Sequence, residues 1–407
     1  MMLETNLRIA EIEVFNLCFE YPEHLRFRYS GGICTGRLTS LVQVTTENGF
    51  TGWGTVYSYP KLVKIIIEEH LKPFLMGQEI SSLNELWEQM YKLTRWYGRK
   101  GVAISAIGAL DIAFWDLLGK TLGKPVYKLL GADRNAIPAY ASGLFWQDDV
   151  RMLEQEARRH MDHGFYGVKM RLGRGQAYDQ AALDAVYIGV GSKGAVMVDG
   201  SQRYSTETAE WLGKLLADKN AVFFQEPFPP EDIDRYVDLR QRIKVPLAAG
   251  ENEFGVQGFR ELLQNGALDI LQPDVCRAGG ITEVVRIAAL ANEQNIPIAT
   301  HSWSDALAII ANAHVVAAAS NGMMIEIDQT GNPFVEELLV ESLHIKDGLL
   351  HLPLGPGLGV DVDMNVVQRL RREDEQEPLD GLYSDLIFGA RYLTPPTPYD
   401  LNLIENE

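Results

Sequence analysis

The sequence is short of cysteine, of positive charge and of long apolar runs. Only three cysteines occur in 407 residues, Cys18, Cys34 and Cys276. They lie far apart, make no zinc-ligand spacing and suggest no disulfide framework, so a reducing cytoplasm is the natural expectation. Lys and Arg number 37 against 55 Asp and Glu, for a formal charge of −18. A chain this acidic repels a phosphate backbone, which argues against nucleic acid as a partner; the plain meaning of the charge is solubility. A local group of Lys and Arg can still hold a small anion at short range. No run reads as the ~18 consecutive apolar residues of a membrane helix, so no membrane partner is expected. The start, MMLETNLRIAEIEVF, has no basic patch followed by an apolar stretch and does not read as a signal peptide. Core material is plentiful, with 46% hydrophobic and 23% charged residues, which excludes disorder as the main state. The length suits about two domains.

Residues 1–135 read as an α+β unit. The stretches at 9–15 and 40–54 alternate like strands, with Asn48-Gly49 as a hairpin turn. Helical patterns follow at 61–75, 81–94 and 104–123. The last is apolar at i, i+3, i+4 and i+7 and stops at Gly123, with Pro125 just beyond. Residues 136–340 have a different texture, with short apolar strands alternating with amphipathic helices. The strand candidates IPAYAS, YGVKMRL, GAVMVDG, AVFFQEP, VPLAAGE, LDILQPD, PIATHS and MMIEID make eight βα units. That count fits a (β/α)8 barrel better than an open doubly wound sheet, which usually has fewer strands and a glycine-rich first turn. Residues 341–407 are expected to return to the N-terminal domain. Gly355, Gly357 and Gly359 imitate a nucleotide loop, but no helix is expected to follow, so they read as turns.

In such barrels the active site forms where the strands end. The polar residues at those ends are Lys169 and Arg171, Asp199, Gln225 and Glu226, Glu251, Asp274, His301 and Glu326. Positions 199, 225 and 251 are each separated by 26 residues, one βα unit, which makes them neighbours on the rim. Any one of these acids alone reads best as a helix cap or a solvated loop charge. Three in register, facing a Lys and a His, read better as oxygen ligands for a hard cation such as Mg²⁺.

Together these motifs resemble the mandelate racemase group of the enolase superfamily, the mandelate racemase/muconate lactonizing enzyme family. GRKGVAISAIGALDIAFWDLLGK looks like that family's capping-domain helix, and Lys169-x-Arg171 resembles its Lys-x-Lys or Lys-x-Arg motif. Asp199, and Glu251 within AAGEN, match two metal ligands. Asp274 and His301 match the His-Asp dyad, and Glu326 matches the strand-eight acid. The likeness extends to most of the chain, including the late GPGLGV. It implies an enolase-like modified (β/α)8 barrel under an α+β capping domain, a Mg²⁺ cofactor, a small carboxylate substrate and an even-numbered homo-oligomer.

There is a departure. The family usually has Glu two residues before the proline after strand four, whereas here Gln225 stands there with Glu226 beside it. Gln225 is expected to ligate the metal through its amide oxygen, which brings no charge and predicts weaker Mg²⁺ binding; strand alternation turns Glu226 away from the barrel axis, unless the strand end is rearranged so that Glu226 ligates. Ser201 replaces an Asn often found two residues after the first metal ligand, a minor change.

The resemblance implies removal of the proton α to a carboxylate, giving an enediolate stabilised by Mg²⁺. His301 is suited to act as base and then acid near neutrality, with Asp274 fixing its tautomer. Lys169 is expected at the substrate carboxylate. Arg171, a guanidinium that stays protonated, is a poor base. One good base favours elimination: dehydration of a sugar acid, aldonate or aldarate, to a 2-keto-3-deoxy acid. Racemisation or epimerisation with Lys169 as second base is the alternative. Cycloisomerisation ranks lower, because such relatives tend to carry Lys on strand six, where Asp274 stands. A non-catalytic binding descendant is a further alternative, given Gln225. Substrate contacts are expected from two capping loops, through His24, Arg26, Arg28 and Tyr29 and through Tyr57. Their polar, basic character suits a hydroxylated anion better than an apolar aromatic one.

Overall fold

The computed structural model describes residues 7–30 and 32–372. The expected C-terminal segment beyond 372 and Gly31 of the first capping loop lie outside these residues. The N-terminal domain opens with β1 (Ile9–Glu20), antiparallel to β4 (Gly36–Thr46), which pairs in turn with β5 (Thr51–Val56). The β4–β5 turn contains Asn48-Gly49, and Gly49 adopts the left-handed φ of 84° that the turn needs. Between β1 and β4, the short β2 (Phe27–Tyr29) and β3 (Gly32–Cys34) form a hairpin.

The helix Val102–Leu122 backs this sheet. Its hydropathy would suffice to cross a bilayer, contrary to the expectation from apolar runs, but 83% of its most apolar window is buried inside the protein. Such all-round apolarity marks a core helix. β5 meets it through glycine: a Cβ on Gly54 would lie 1.8 Å from the Ala109 carbonyl oxygen.

The second domain is a closed parallel barrel. β6 (Ala136–Ser142), β7 (Gly167–Arg171), β8 (Ala195–Asp199), β9 (Phe224–Gln225), β10 (Leu247–Ala249), β11 (Ile270–Leu271), β12 (Ile298–Thr300) and β13 (Gly322–Asp328) pair in chain order. β13 closes onto β6 with Glu326 opposite Tyr140. The expected eight-stranded barrel and its capping domain are both present. The chain then forms β14 (His344–Lys346) and β15 (Leu349–His351), a hairpin that extends the barrel sheet antiparallel to β6. Only after that does it reach the N-terminal domain. Gly357 packs where a Cβ on Gly119 would lie 2.5 Å from its Cα, and the Arg372 N–H donates to Asn16.

Candidate active site

Side chains on alternate strand positions share a face, so the barrel interior is built in layers. The lower layer is Tyr140, Met197, Phe223, Ala248, Ile270, Ala299 and Met324, all buried and packed together. Two residues further along the same strands stand Ser142, Asp199, Gln225, Gly250, Gln272, His301 and Glu326. Asp199, Gln225, His301 and Glu326, four of the nine residues read from the strand ends, stand in this upper layer.

His301 Nδ1 lies 2.7 Å from Asp274 Oδ2. Asp274 is not on a strand: β11 ends at Leu271, and Asp274 caps the helix Val275–Ala278 by accepting from the Cys276 N–H at 2.8 Å. Asn312 Nδ2 donates to the same Oδ1 at 3.0 Å. A carboxylate fixed at both oxygens holds the imidazole with its Nδ1 proton toward Asp274 and Nε2 toward the barrel mouth. Nε2 faces Glu251 Oε1 at 3.9 Å. Burial alone would pull the imidazolium pKa down. The charge of Glu251, the Asp274 hydrogen bond and the charge of Glu326 outweigh it and push His301 up to about 9.

Lys169 is fully buried, with Nζ 2.6 Å from Glu326 Oε1, 2.8 Å from Gln225 Oε1 and 3.6 Å from Asp199 Oδ2. Burial acts to raise the Glu326 carboxyl, but Lys169, His301 and Arg171 overrule it and draw it down to about 2. Arg171 lies 3.1 Å from Asp199 Oδ2 and donates to Ser142 Oγ at 3.3 Å. Its guanidinium carbon stands 5.0 Å from the Phe145 ring centroid and 5.6 Å from that of Trp303.

Gln225 and Glu226 divide the work at the end of β9. The Gln225 amide oxygen accepts from Lys169 and, at 3.2 Å, from Gln272 Nε2, while its own N–H donates to Glu251 Oε2. So placed, Gln225 is a neutral bridge between Lys169 and Glu251. Glu226 does not continue the strand. Its φ of 35° breaks the alternation that would have turned it outward. The side chain accepts from Gln202 Nε2 at 2.6 Å and Asn252 Nδ2 at 2.9 Å, and that same Asn252 nitrogen lies 3.5 Å from Glu251 Oε1. The Glu226 and Glu251 carboxylates thus share one donor. Burial first, and then Asp199, push Glu226 up to about 7. Asp199 Oδ1 accepts from the Ser201 N–H at 2.8 Å. Among the described residues, no three His, Cys, Asp or Glu side chains close on one ion-sized point. Arg171 and the Gln225 amide each take an oxygen of this acid set.

The capping loops are placed differently from the basic, polar surface expected of them. In β2, alternation turns Phe27 and Tyr29 inward and Arg28 outward. Phe27 stacks on Phe145 with centroids 4.0 Å apart, and Tyr21, Tyr29, Cys34 and Trp303 complete the cluster. Arg26 is held by the Tyr21 carbonyl and Glu20, Arg28 pairs with Asp148 at 2.8 Å, and His24 is exposed on a 3-10 turn. None of these three joins the charged layer. Tyr57 does approach it, its ring stacked on His301 at 6.1 Å.

Several contributors escaped the sequence reading. Arg277 donates to Asn252 Oδ1 at 2.7 Å and stands 5.3 Å from the Tyr57 ring. Arg37 is buried, pairs with Asp328 at 2.7 Å and lies 3.8 Å over Trp303. Asn252 and Gln272 were within reach, one directly after Glu251 and the other two positions before Asp274. Arg37 carried no local signal, because its partner lies 291 residues away.

Comparisons with known proteins bear on the fold that carries these residues. The enolase C-terminal domain-like model matches residues 152–366, and the mandelate racemase/muconate lactonizing enzyme N-terminal domain model matches residues 12–131. The chain belongs to the mandelate racemase/muconate lactonizing enzyme family of the enolase superfamily. It is 31% identical over 370 residues to arabinonate dehydratase of Saccharolobus solfataricus, covering 89% of this chain and 99% of that protein. It superimposes on 3,6-anhydro-D-galactonate cycloisomerase of Zobellia galactanivorans with a TM-score of 0.83 and 34% identity, over 90% of this chain and 100% of the other. L-Talarate dehydratase of Polaromonas sp. JS666, solved with Mg and L-glucarate, matches with a TM-score of 0.80 and 28% identity, over 90% and 98%.

Proposed function

We propose that the protein is a Mg²⁺-dependent dehydratase of a sugar acid, an aldonate or aldarate, forming a 2-keto-3-deoxy acid. The observation that carries this reading is the His301–Asp274 pair, 2.7 Å apart, with Nε2 aimed at the carboxylate layer. The dehydratase relatives support the reaction type.

Asp199, Glu226 and Glu251 are the residues assigned to Mg²⁺. The fit rests on their chemistry: three carboxylates at the ends of consecutive strands, one of them pushed up to about 7 by burial and its acidic neighbour. Hard oxygen donors of this kind suit Mg²⁺. When bound, the ion supplies positive charge that stabilises a carboxylate made more negative by loss of its α-proton. Gln225 stays outside this set as the bridge between Lys169 and Glu251.

The remaining roles belong to the side chains. Lys169 offers an N–H to the substrate carboxylate. His301 Nε2 takes the α-proton, and Asp274 supports the imidazolium so formed. The same Nε2 then returns that proton to the departing β-hydroxyl, which leaves as water. The carbon–hydrogen electron pair becomes the new double bond, and the enol tautomerises to the 2-keto acid. Arg171 holds Asp199 and adds fixed positive charge without carrying a proton. The aromatic cluster around Phe145 and Trp303 excludes water beside Arg171.

Epimerisation on the same site is the second reading. The observation favouring it is that Lys169 on β7 and His301, directly after β12, rise from different sides of the barrel rim. The test is a panel of aldonic and aldaric acids, incubated with protein and Mg²⁺ and assayed for 2-keto acid. One or a few acids should be converted. Tight binding of a sugar acid with no product would instead favour a binding protein.

A further inference from the structure

The connection that follows β6 carries a strained residue. β6 ends at Ser142, and Leu144, two residues on, has a φ of 52°. Left-handed backbone suits glycine or asparagine; in a leucine it is an outlier that persists only where its surroundings hold it. Leu144 is fully buried, and both of its backbone polar groups are used. Its N–H donates at 2.9 Å to Glu156 Oε1, on the following helix Arg151–Asp162. Its carbonyl accepts from the Arg171 N–H at 3.3 Å, and the Gly143 N–H donates to the Lys169 carbonyl at 3.2 Å. The turn is thus tied to the main chain of the two cationic residues of β7 and, through one side chain, to Glu156. His160, one helical turn beyond Glu156, lies 3.7 Å from the same carboxylate oxygen, its ring buried edge-on against Phe165.

This turn carries the seat of the capping hairpin. Phe145 stacks on Phe27 of β2 at 4.0 Å, and the Trp146 N–H donates to the Arg28 carbonyl at 2.9 Å. The Phe145 ring also stands 6.0 Å from that of Trp303, two residues after His301, and 5.0 Å from the Arg171 guanidinium carbon. An extended Leu144 would send the chain beyond it in another direction and unseat these contacts. Glu156 opposes that change. Without its oxygen the buried Leu144 N–H would be left unpaired, a cost that favours a different backbone. We propose that Glu156 is a positioning residue for the active site: by holding Leu144 in the left-handed region it sets Phe145 and Trp146, which seat the β2–β3 hairpin beside Arg171 and confine the substrate there. Glu156 stands outside the charged layer and acts only through this turn.

The test is residue-level hydrogen–deuterium exchange on the metal-free full chain, comparing wild type with Glu156→Ala and Glu156→Gln. The site is partly exposed on a helix, where alanine is well tolerated. In Glu156→Ala the Leu144 and Trp146 amides should exchange about tenfold faster, while the amides of β8 keep their wild-type rates. A general loss of stability would speed both sets. Glu156→Gln keeps an acceptor oxygen and should restore slow exchange. The kinetic arm rests on the dehydratase reading and uses a sugar acid that the panel converts. There Glu156→Ala should raise KM about tenfold with kcat within about threefold of wild type, since the hairpin confines substrate but moves no proton. Phe145→Leu should raise KM likewise while its Leu144 amide stays slow, which separates the clamp from what it carries. Unchanged Trp146 exchange in Glu156→Ala, or a loss of kcat with KM unaltered, overturns the proposal. If no acid is converted, the dehydratase reading fails, and exchange alone decides the role of Glu156.

Discussion

Two adjacent layers of one barrel differ by two residues on each strand and by almost everything else. Met197 precedes Asp199, Phe223 precedes Gln225, Ala299 precedes His301 and Met324 precedes Glu326. The lower member packs against its neighbours, and the upper member is charged or polar and equally buried. Burial is therefore not what distinguishes a core from a site. The lower layer is held by contact alone. The upper layer holds only because each charge has a counter-charge or a donor: Lys169 for Glu326, Arg171 for Asp199, Asp274 for His301, Asn252 for Glu226. Buried charges left without such partners cost several kcal/mol each.

The sharpest way to separate the layers is to remove one member from each. His301→Asn should reduce both turnover and solvent exchange of the substrate α-proton by about 10⁴-fold, the loss of a base that also serves as acid. Circular dichroism should show the fold intact. Exchange at the wild-type rate would transfer the role of base to Lys169. Phe223→Ala, one layer down, should cost about 3–5 kcal/mol in denaturant unfolding. Its kcat per folded molecule should stay near wild type, and a large loss of kcat would mean that the layers are not independent.

The pH dependence of stability probes the charged layer without mutation. His301, pushed up to about 9, gives stability that is complete below its ordinary pKa near 6.5 and is lost as pH rises through 9. Glu226, pushed up to about 7, makes its loss between its ordinary 4.5 and 7. Asp111 and Asp179, also pushed up to about 7 by burial, fall away over the same lower range. The interval from pH 8 to 9, above the titration of these carboxyls, therefore leaves His301 as the main contributor. Metal-free protein should lose about 1 kcal/mol across it. Added Mg²⁺ should flatten that slope, since a cation among the acids weakens their hold on the imidazolium. A slope unchanged by Mg²⁺ would separate the ion from His301.

A comparable effect distinguishes the two neighbours on β9. Glu226→Gln should weaken Mg²⁺ binding roughly tenfold by calorimetry, and Gln225→Glu should tighten it by adding a fourth carboxylate, beside Glu251. The opposite pattern, with Gln225→Glu weakening binding, would remove Gln225 from the neighbourhood of the ion.

How much of this was legible in the sequence follows from the range of the forces involved. Strand alternation and the 26-residue spacing are enough to put Asp199, Gln225 and Glu251 on one rim. They also placed Glu326 and His301, because each lies on a strand or just past its end. Glu226 was misdirected by the same rule: alternation holds only while φ is extended, and at 35° it is not. The capping loop erred in the other direction. Its basic residues suggested a polar lid, but β2 is a strand, and its period of two sends Arg28 to solvent and Phe27 and Tyr29 inward. The Arg37–Asp328 pair was invisible because it joins the first domain to the last barrel strand.

The central claim is that one base, His301, drives elimination. It is tested most directly by incubating wild-type protein and Mg²⁺ with a converted sugar acid in deuterated water, following both product and recovered substrate. The claim predicts 2-keto-3-deoxy acid as the product and recovered substrate that keeps its original configuration. Recovered substrate with an inverted, deuterated α-carbon and no 2-keto acid would contradict it and establish a two-base epimerase in its place.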